Sequence, residues 1–173
     1  MTTPRSRNGD FNVWRDLRIA VGDTSYSLGE IEHSILRPLK EPRVHFAIVC
    51  GSNGCPRLRN EAYTADKLED QLKGNTLAFF ADSSKCAFDP ERQELRLSPI
   101  LKWYATDFGS SDSAVLPGIA DWLPAEIGPA VKAGKVKVMF GEYDWSLNEQ
   151  NGIIPPLPTP EGGTGAWIKH PHK

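Results

Sequence analysis

The stretch Val44 to Cys50, VHFAIVC, is apolar apart from His45 and is cut off by Gly51-Ser52-Asn53-Gly54, four residues of turn chemistry. A short apolar run bounded in this way suits a strand covered on both faces. It predicts a core strand over 44–50, with His45, Ala47 and Val49 on one face and Phe46, Ile48 and Cys50 on the other. His45 and Cys50 would then face opposite ways. Cys55-Pro56 follows the turn. Proline is favoured at a first helical position, so Cys55 is expected at the N-cap of a helix.

The segments around this run alternate between strand and helix signals. RIAVGDTSYSL, residues 18–28, reads as a hairpin about Gly22-Asp23. A short helix should follow from Ser27 or Gly29, with Ile31, Ile35 and Leu36 on one face and His33 off it, ended by Pro38 and Pro42. A second helix should open at Thr64 and keep Leu68, Leu72 and Phe79 in phase across Gly74. CAFDPERQELRL, residues 86–97, reads as two short strands about Asp89-Pro90. Ser98-Pro99 then starts a helix carrying Ile100, Trp103, Tyr104 and Phe108, aromatics most simply read as core, closed by Gly109. Between residues 113 and 133, Pro117, Pro124 and Pro129 break the helical signal into short pieces. Val136, Val138 and Phe140 alternate as a last strand, leading into YDWSLN at 143–148. The expectation is an α+β fold: a small mixed sheet packed with several short helices. A single domain over 11–150 is expected, between flexible ends at 1–10 and 151–173, the latter Pro/Gly-rich and carrying Trp167 and Ile168.

Charge and composition narrow the function classes. With 20 basic against 22 acidic residues and no long run of one sign, nothing matches the basic footprint that nucleic-acid backbones require. No window approaches a membrane span and the N-terminus lacks a signal-peptide pattern, so a cytoplasmic location without a membrane partner is expected. Three cysteines at uneven spacing do not suggest a secreted disulfide framework, which leaves metal binding, a reactive thiol or burial. No cofactor is expected.

Four segments, SLGEIEHSILR (27–37), EPRVHFAIVCGSNGCPRLRNEAYTADKLEDQL (41–72), LSPILKWYATDF (97–108) and YDWSLN (143–148), together resemble the family known as domain of unknown function 547. Members of that family usually carry an upstream helical motif of the type FWINxYNAL, to which this chain has no counterpart. A missing helix of that kind would leave an apolar patch, and a homodimer or a completing partner chain would cover it. The resemblance also implies a distant likeness to papain-like or transglutaminase-like folds.

The chemistry expected of the residues themselves centres on Cys55. A thiol at a helix N-terminus has a lowered pKa, and a nucleophile needs a base and an orienting acid. His45 and Asp144 are the candidates, with Cys50 and His33 as alternatives. This set would serve a thiol-dependent hydrolase or transferase acting on a small molecule or peptide that the sequence does not identify. The rival readings are a non-catalytic protein-interaction domain, and a metal-binding domain with Cys50, Cys55, His33 and His45 as ligands. A Cys50–Cys55 disulfide is sterically allowed and would close a loop worth only about 2 kcal/mol by chain entropy.

Overall fold

The computed structural model describes residues 12–109 and 115–148. The tails expected at 1–10 and 151–173, with Trp167 and Ile168, lie outside the described residues. The fold is α+β, but its strands form two sheets rather than one. A short helix α1 (Asn12–Asp16) leads into the hairpin β1 (Arg18–Val21) and β2 (Thr24–Ser27), which pair antiparallel as the sequence predicts. Gly22 turns the hairpin at φ 60, a backbone conformation that glycine adopts without strain.

Ser27 ends β2 and caps the next helix, α2 (Leu28–Glu30). Its hydroxyl accepts from Glu30 N while the Glu30 carboxylate accepts from Ser27 N, a reciprocal capping box. The helix widens to π geometry over Ile31–Leu36 and tightens to a 3-10 turn over Arg37–Leu39 that holds Pro38 in its first turn and ends at Lys40, φ 56.

The run at 44–50 is not a strand. Pro42–Phe46 forms a 3-10 helix with Pro42 in its first turn and the Glu41 carboxylate accepting from Arg43 N. The chain then continues irregularly to Cys50. Val44, His45 and Phe46 are buried and 47–50 half-buried, and a continuous apolar string cannot distinguish a buried 3-10 turn with an irregular continuation from a two-sided strand. Phe46 is fully buried and sits among Phe79, Phe80, Phe108 and Trp122, with ring centroids 4.6, 5.4, 5.6 and 6.1 Å away.

No helix begins at Cys55-Pro56 either; residues 56–59 have no regular structure. The next helix, α3 (Leu68–Ala81), follows a turn in which Lys67 N donates to Thr64 O, and it runs through Gly74 without interruption. Its buried Leu72, Thr76, Phe79 and Phe80 face the core. Beyond it, β3 (Cys86–Asp89) and β4 (Glu94–Leu97) pair antiparallel about the Asp89-Pro90 turn, and β5 (Lys137–Phe140) joins β4 in parallel, giving the mixed order β3-β4-β5.

Between β4 and β5 the helices are short. Ser98 caps α4 (Pro99–Trp103), whose register breaks at Tyr104 before α5 (Ala105–Phe108). That break corrects the expectation of one helix, and it turns Trp103 outward, half exposed rather than in the core. Then α6 (Val115–Ile119), a 3-10 turn at Ala120–Trp122 and α7 (Gly128–Lys132) line the core with Val115, Ile119, Leu123 and Ile127. Where α6 crosses α5, a Cβ on Gly118 would fall 1.7 Å from the Phe108 carbonyl oxygen, so only glycine allows the approach. No helix among the described residues is long and apolar enough to cross a membrane.

Candidate functional site

Two of the segments singled out in the sequence are knitted together. Asn53 N donates to Ser146 O, Gly54 N to Asp144 O, and Asn148 N to Gly51 O, all within 2.9 Å, so 51–54 and 144–148 form a short antiparallel ladder. The Gly54 backbone lies flat against the Tyr143 ring, where an added Cβ would meet ring carbons at 2.7 Å. Lys85 Nζ ties the far side of the turn through the Asn53 carbonyl at 2.7 Å.

The ladder sets Cys50 and Cys55 side by side, and their Sγ atoms are joined as a disulfide with Cα atoms 6.2 Å apart. Cys55 is buried and Cys50 half-buried. A polar relay surrounds the sulfurs: the fully buried Ser52 hydroxyl donates to Tyr143 Oη at 3.0 Å, and Tyr143 Oη donates to Cys55 Sγ at 3.2 Å. Cys50 N also points at Cys55 Sγ, 2.9 Å away. Burial raises the Tyr143 pKa, so its hydroxyl keeps the proton it donates. The third cysteine, Cys86, stands apart, buried in β3, its thiol pushed up to about 11 chiefly by desolvation.

His45 is held by a second network. The sequence offered Asp144 as its acid; instead the carboxylate beside it is Asp107, with Nε2 and Oδ2 2.8 Å apart. Arg37 grips the same carboxylate with two parallel hydrogen bonds, Nε to Oδ2 at 2.6 Å and Nη2 to Oδ1 at 2.8 Å. That pairing, then the His45 hydrogen bond, holds the Asp107 carboxyl down at about 2 against the opposing effect of partial burial. An ionised carboxylate only accepts, so His45 carries its proton on Nε2 and leaves Nδ1 as its basic nitrogen. Burial lowers the His45 pKa, partly offset by Asp107. Tyr104 stacks on the imidazole with centroids 4.0 Å apart, fixing the ring plane. Asp144 is committed elsewhere, capping its own turn by accepting from Ser146 N and Oγ. His33 lies on the exposed side, where Arg37 Nη1 approaches its Nδ1 at 3.3 Å.

Both networks open onto one cleft of about 270 Å3, lined by Cys50, Cys55, His33, His45, Glu32 and Ile100 together with the rings of Trp14, Trp103, Tyr104, Tyr143 and Trp145. The expectation that His45 and Cys50 face opposite ways loses its basis with the strand it rested on, and both residues line this space. No group of three His, Cys, Asp or Glu side chains among the described residues is placed to hold a metal ion. The set Cys50, Cys55, His33 and His45 is therefore not assembled as a ligand cage; the two sulfurs are bonded to each other.

Asp107, Arg37, Ser52 and Tyr143 were not singled out from sequence. Asp107 and Tyr104 sit three apart in LSPILKWYATDF, a spacing that places side chains on one helical face, and Arg37 closes SLGEIEHSILR. Each lay inside a flagged segment, but nothing local tells that Asp107 meets His45 and Arg37, or that Ser52 and Tyr143 meet beside Cys55.

No curated protein and no solved structure matches the chain. The model of the family described as "Protein of unknown function, DUF547" matches residues 1–80, a span that takes in the first two of the four segments and the cysteine loop, as expected of a member of that family.

Proposed function

We propose that the domain is a thiol-dependent hydrolase or transferase that works in its dithiol form, with Cys55 as nucleophile, His45 as general base and Asp107 as the group that orients the imidazole. The observation that carries this reading is the pairing of His45 Nε2 with an Arg37-clamped Asp107, while His45 lines the same cleft as Cys50 and Cys55. In the dithiol, a Cys55 thiolate would keep the Cys50 N–H and Tyr143 hydroxyl as donors, and hydrogen bonds to the charged form lower a thiol pKa. This replaces the helix N-terminus expected from Pro56 as the source of activation. His45 Nδ1 takes the thiol proton, Cys55 Sγ bonds to the carbonyl carbon of an acyl substrate, and the leaving group departs with that proton. Water or a second nucleophile then breaks the thioester and restores the thiol.

The test uses Cys50→Ser, which leaves Cys55 unpaired. Its alkylation rate with iodoacetamide as a function of pH should give a thiol pKa below about 7.5, against about 8.5 for an unassisted cysteine. A value at or above 8.5, unaltered by Tyr143→Phe, would remove the nucleophile.

A second reading, a protein-interaction domain, draws on the apolar side chains of the N-terminal layer: Val13, Leu17 and Val21 are each at least half exposed. Light scattering over a concentration series separates them, since a docking role through this face predicts self-association or capture of a partner, whereas the thiol reading needs neither.

A further inference from the structure

The cleft lined by the cysteines is walled by aromatic rings and, among the described residues, carries a single formal charge. Trp103, Tyr143 and Trp145 form one cluster, with centroids 4.9 Å apart for Trp103 and Tyr143, 4.5 Å for Tyr143 and Trp145, and 5.9 Å for the stacked pair Trp103 and Trp145. Trp103 is 51% exposed although it lies in this cluster, so much of its ring faces solvent. Among the described residues lining the cleft, Glu32 is the only carboxylate, and neither lysine nor arginine takes part. The His45 imidazole does not offset it, since burial disfavours its cation.

Aromatic faces carry negative electrostatic potential, and a lone carboxylate among them adds to it, so the space favours a positive group and disfavours an anion. The protein already uses one of these rings in this way: the Arg37 guanidinium carbon lies 5.3 Å over the Tyr104 ring. Glu32 is held beside the Tyr104 hydroxyl, which raises the tyrosine pKa after burial has done so and fixes where the carboxylate stands.

We propose that this cleft recognises an organic cation, an alkylammonium group lodged against Trp103 and Tyr143 and paired with Glu32. It rests on the thiol reading only for the further step that this cation belongs to the substrate, which would then bear an amine. The binding claim stands on the cleft itself. Sugars and other neutral ligands also stack on tryptophan, so the discriminating feature is charge.

The experiment is a tryptophan-fluorescence titration of the full chain in its disulfide form, where thiol chemistry is silent, with n-butylammonium, n-butanol and pentanoate. Butylammonium should bind about tenfold more tightly than butanol, the size of a partly desolvated cation–π and ion-pair contribution, and pentanoate more weakly than either. Glu32→Gln should remove most of that preference while leaving butanol unchanged, and Trp103→Leu should weaken all binding. Equal affinity for amine and alcohol, or tighter binding of pentanoate, overturns the proposal in the unaltered protein, whatever the variants do. If the charge preference holds but the reduced protein forms no thioester with acyl donors, the cation site stands and the thiol reading falls.

Discussion

His45 Nε2 and Arg37 Nε meet at one oxygen, Asp107 Oδ2, at 2.8 and 2.6 Å, so a single carboxylate on α5 locks together the 3-10 turn Arg37–Leu39 and the 3-10 helix Pro42–Phe46 that precedes the cysteine loop. The arrangement makes Asp107 both a structural tie and the setter of the His45 tautomer. Removing its charge should be felt in both roles.

Asp107→Asn leaves a partly buried guanidinium without its counter-charge. It should destabilise the fold by about 3 kcal/mol, read as a lower urea midpoint at unchanged slope. Because Asp107 is what holds the His45 pKa up against burial, the imidazole in this variant should titrate still lower, as followed by NMR of its ring protons. An unchanged titration would mean that the pair has no electrostatic role.

Stability should depend on pH in two windows. The folded His45 pKa lies below its unfolded value, so the unfolded state binds the extra proton and stability falls as pH drops through the region just below about 6.5. The folded Asp107 pKa, at about 2, also lies below its unfolded value, so its contribution is complete above about pH 4 and is lost as pH falls toward 2. At most about 2.5 kcal/mol rides on the latter. Urea midpoints measured from pH 8 to pH 3 should show a first decline near pH 6; in His45→Gln that decline should vanish.

Thiol counting distinguishes the three cysteines. Without reductant, an aromatic disulfide reagent should find no reactive thiol in the native chain and one in denaturant, the buried Cys86. After a dithiol reductant is applied and removed, Cys50 and Cys55 should react in the native state while Cys86 stays protected, since burial both shields it and keeps it protonated.

Two glycines carry close approaches that a methyl group would prevent. Gly118→Ala would press Cβ into the Phe108 carbonyl, backbone that cannot swing away, and should cost more than about 3 kcal/mol or abolish folding. Gly54→Ala meets a side chain instead, the Tyr143 ring, which can move. It should leave the fold intact with a loss of about 1 to 2 kcal/mol but detach Tyr143 Oη from Cys55, raising the alkylation pKa of Cys55 in a Cys50→Ser background.

How far the chain could be read without its structure varies by element. The hairpin at 18–27, the strands at 86–97 and 137–140, the capped start at Ser98 and the helix through Gly74 were all legible, because each depends on local periodicity, a cap or a turn residue. The segment 44–50 was not. A run of apolar residues reports burial but not the backbone geometry that buries it, and here Pro42 and the Glu41 cap turn the chain into a 3-10 helix. The same error carried into the site, since the alternation that separated His45 from Cys50 belonged to a strand that does not form.

The sequence by itself determined that HFAIVCGSNGCP would be a buried segment followed by a tight turn bearing two cysteines, and that YDWSLN, LSPILKWYATDF and SLGEIEHSILR were the segments to watch. Only the tertiary structure decided which residues meet. Asp144 is drawn into its own turn by Ser146, while Asp107, 62 positions from His45, becomes the imidazole's partner. Hydrogen bonds across that separation depend on how α5 packs against the 3-10 turn, and local propensity carries no record of that contact.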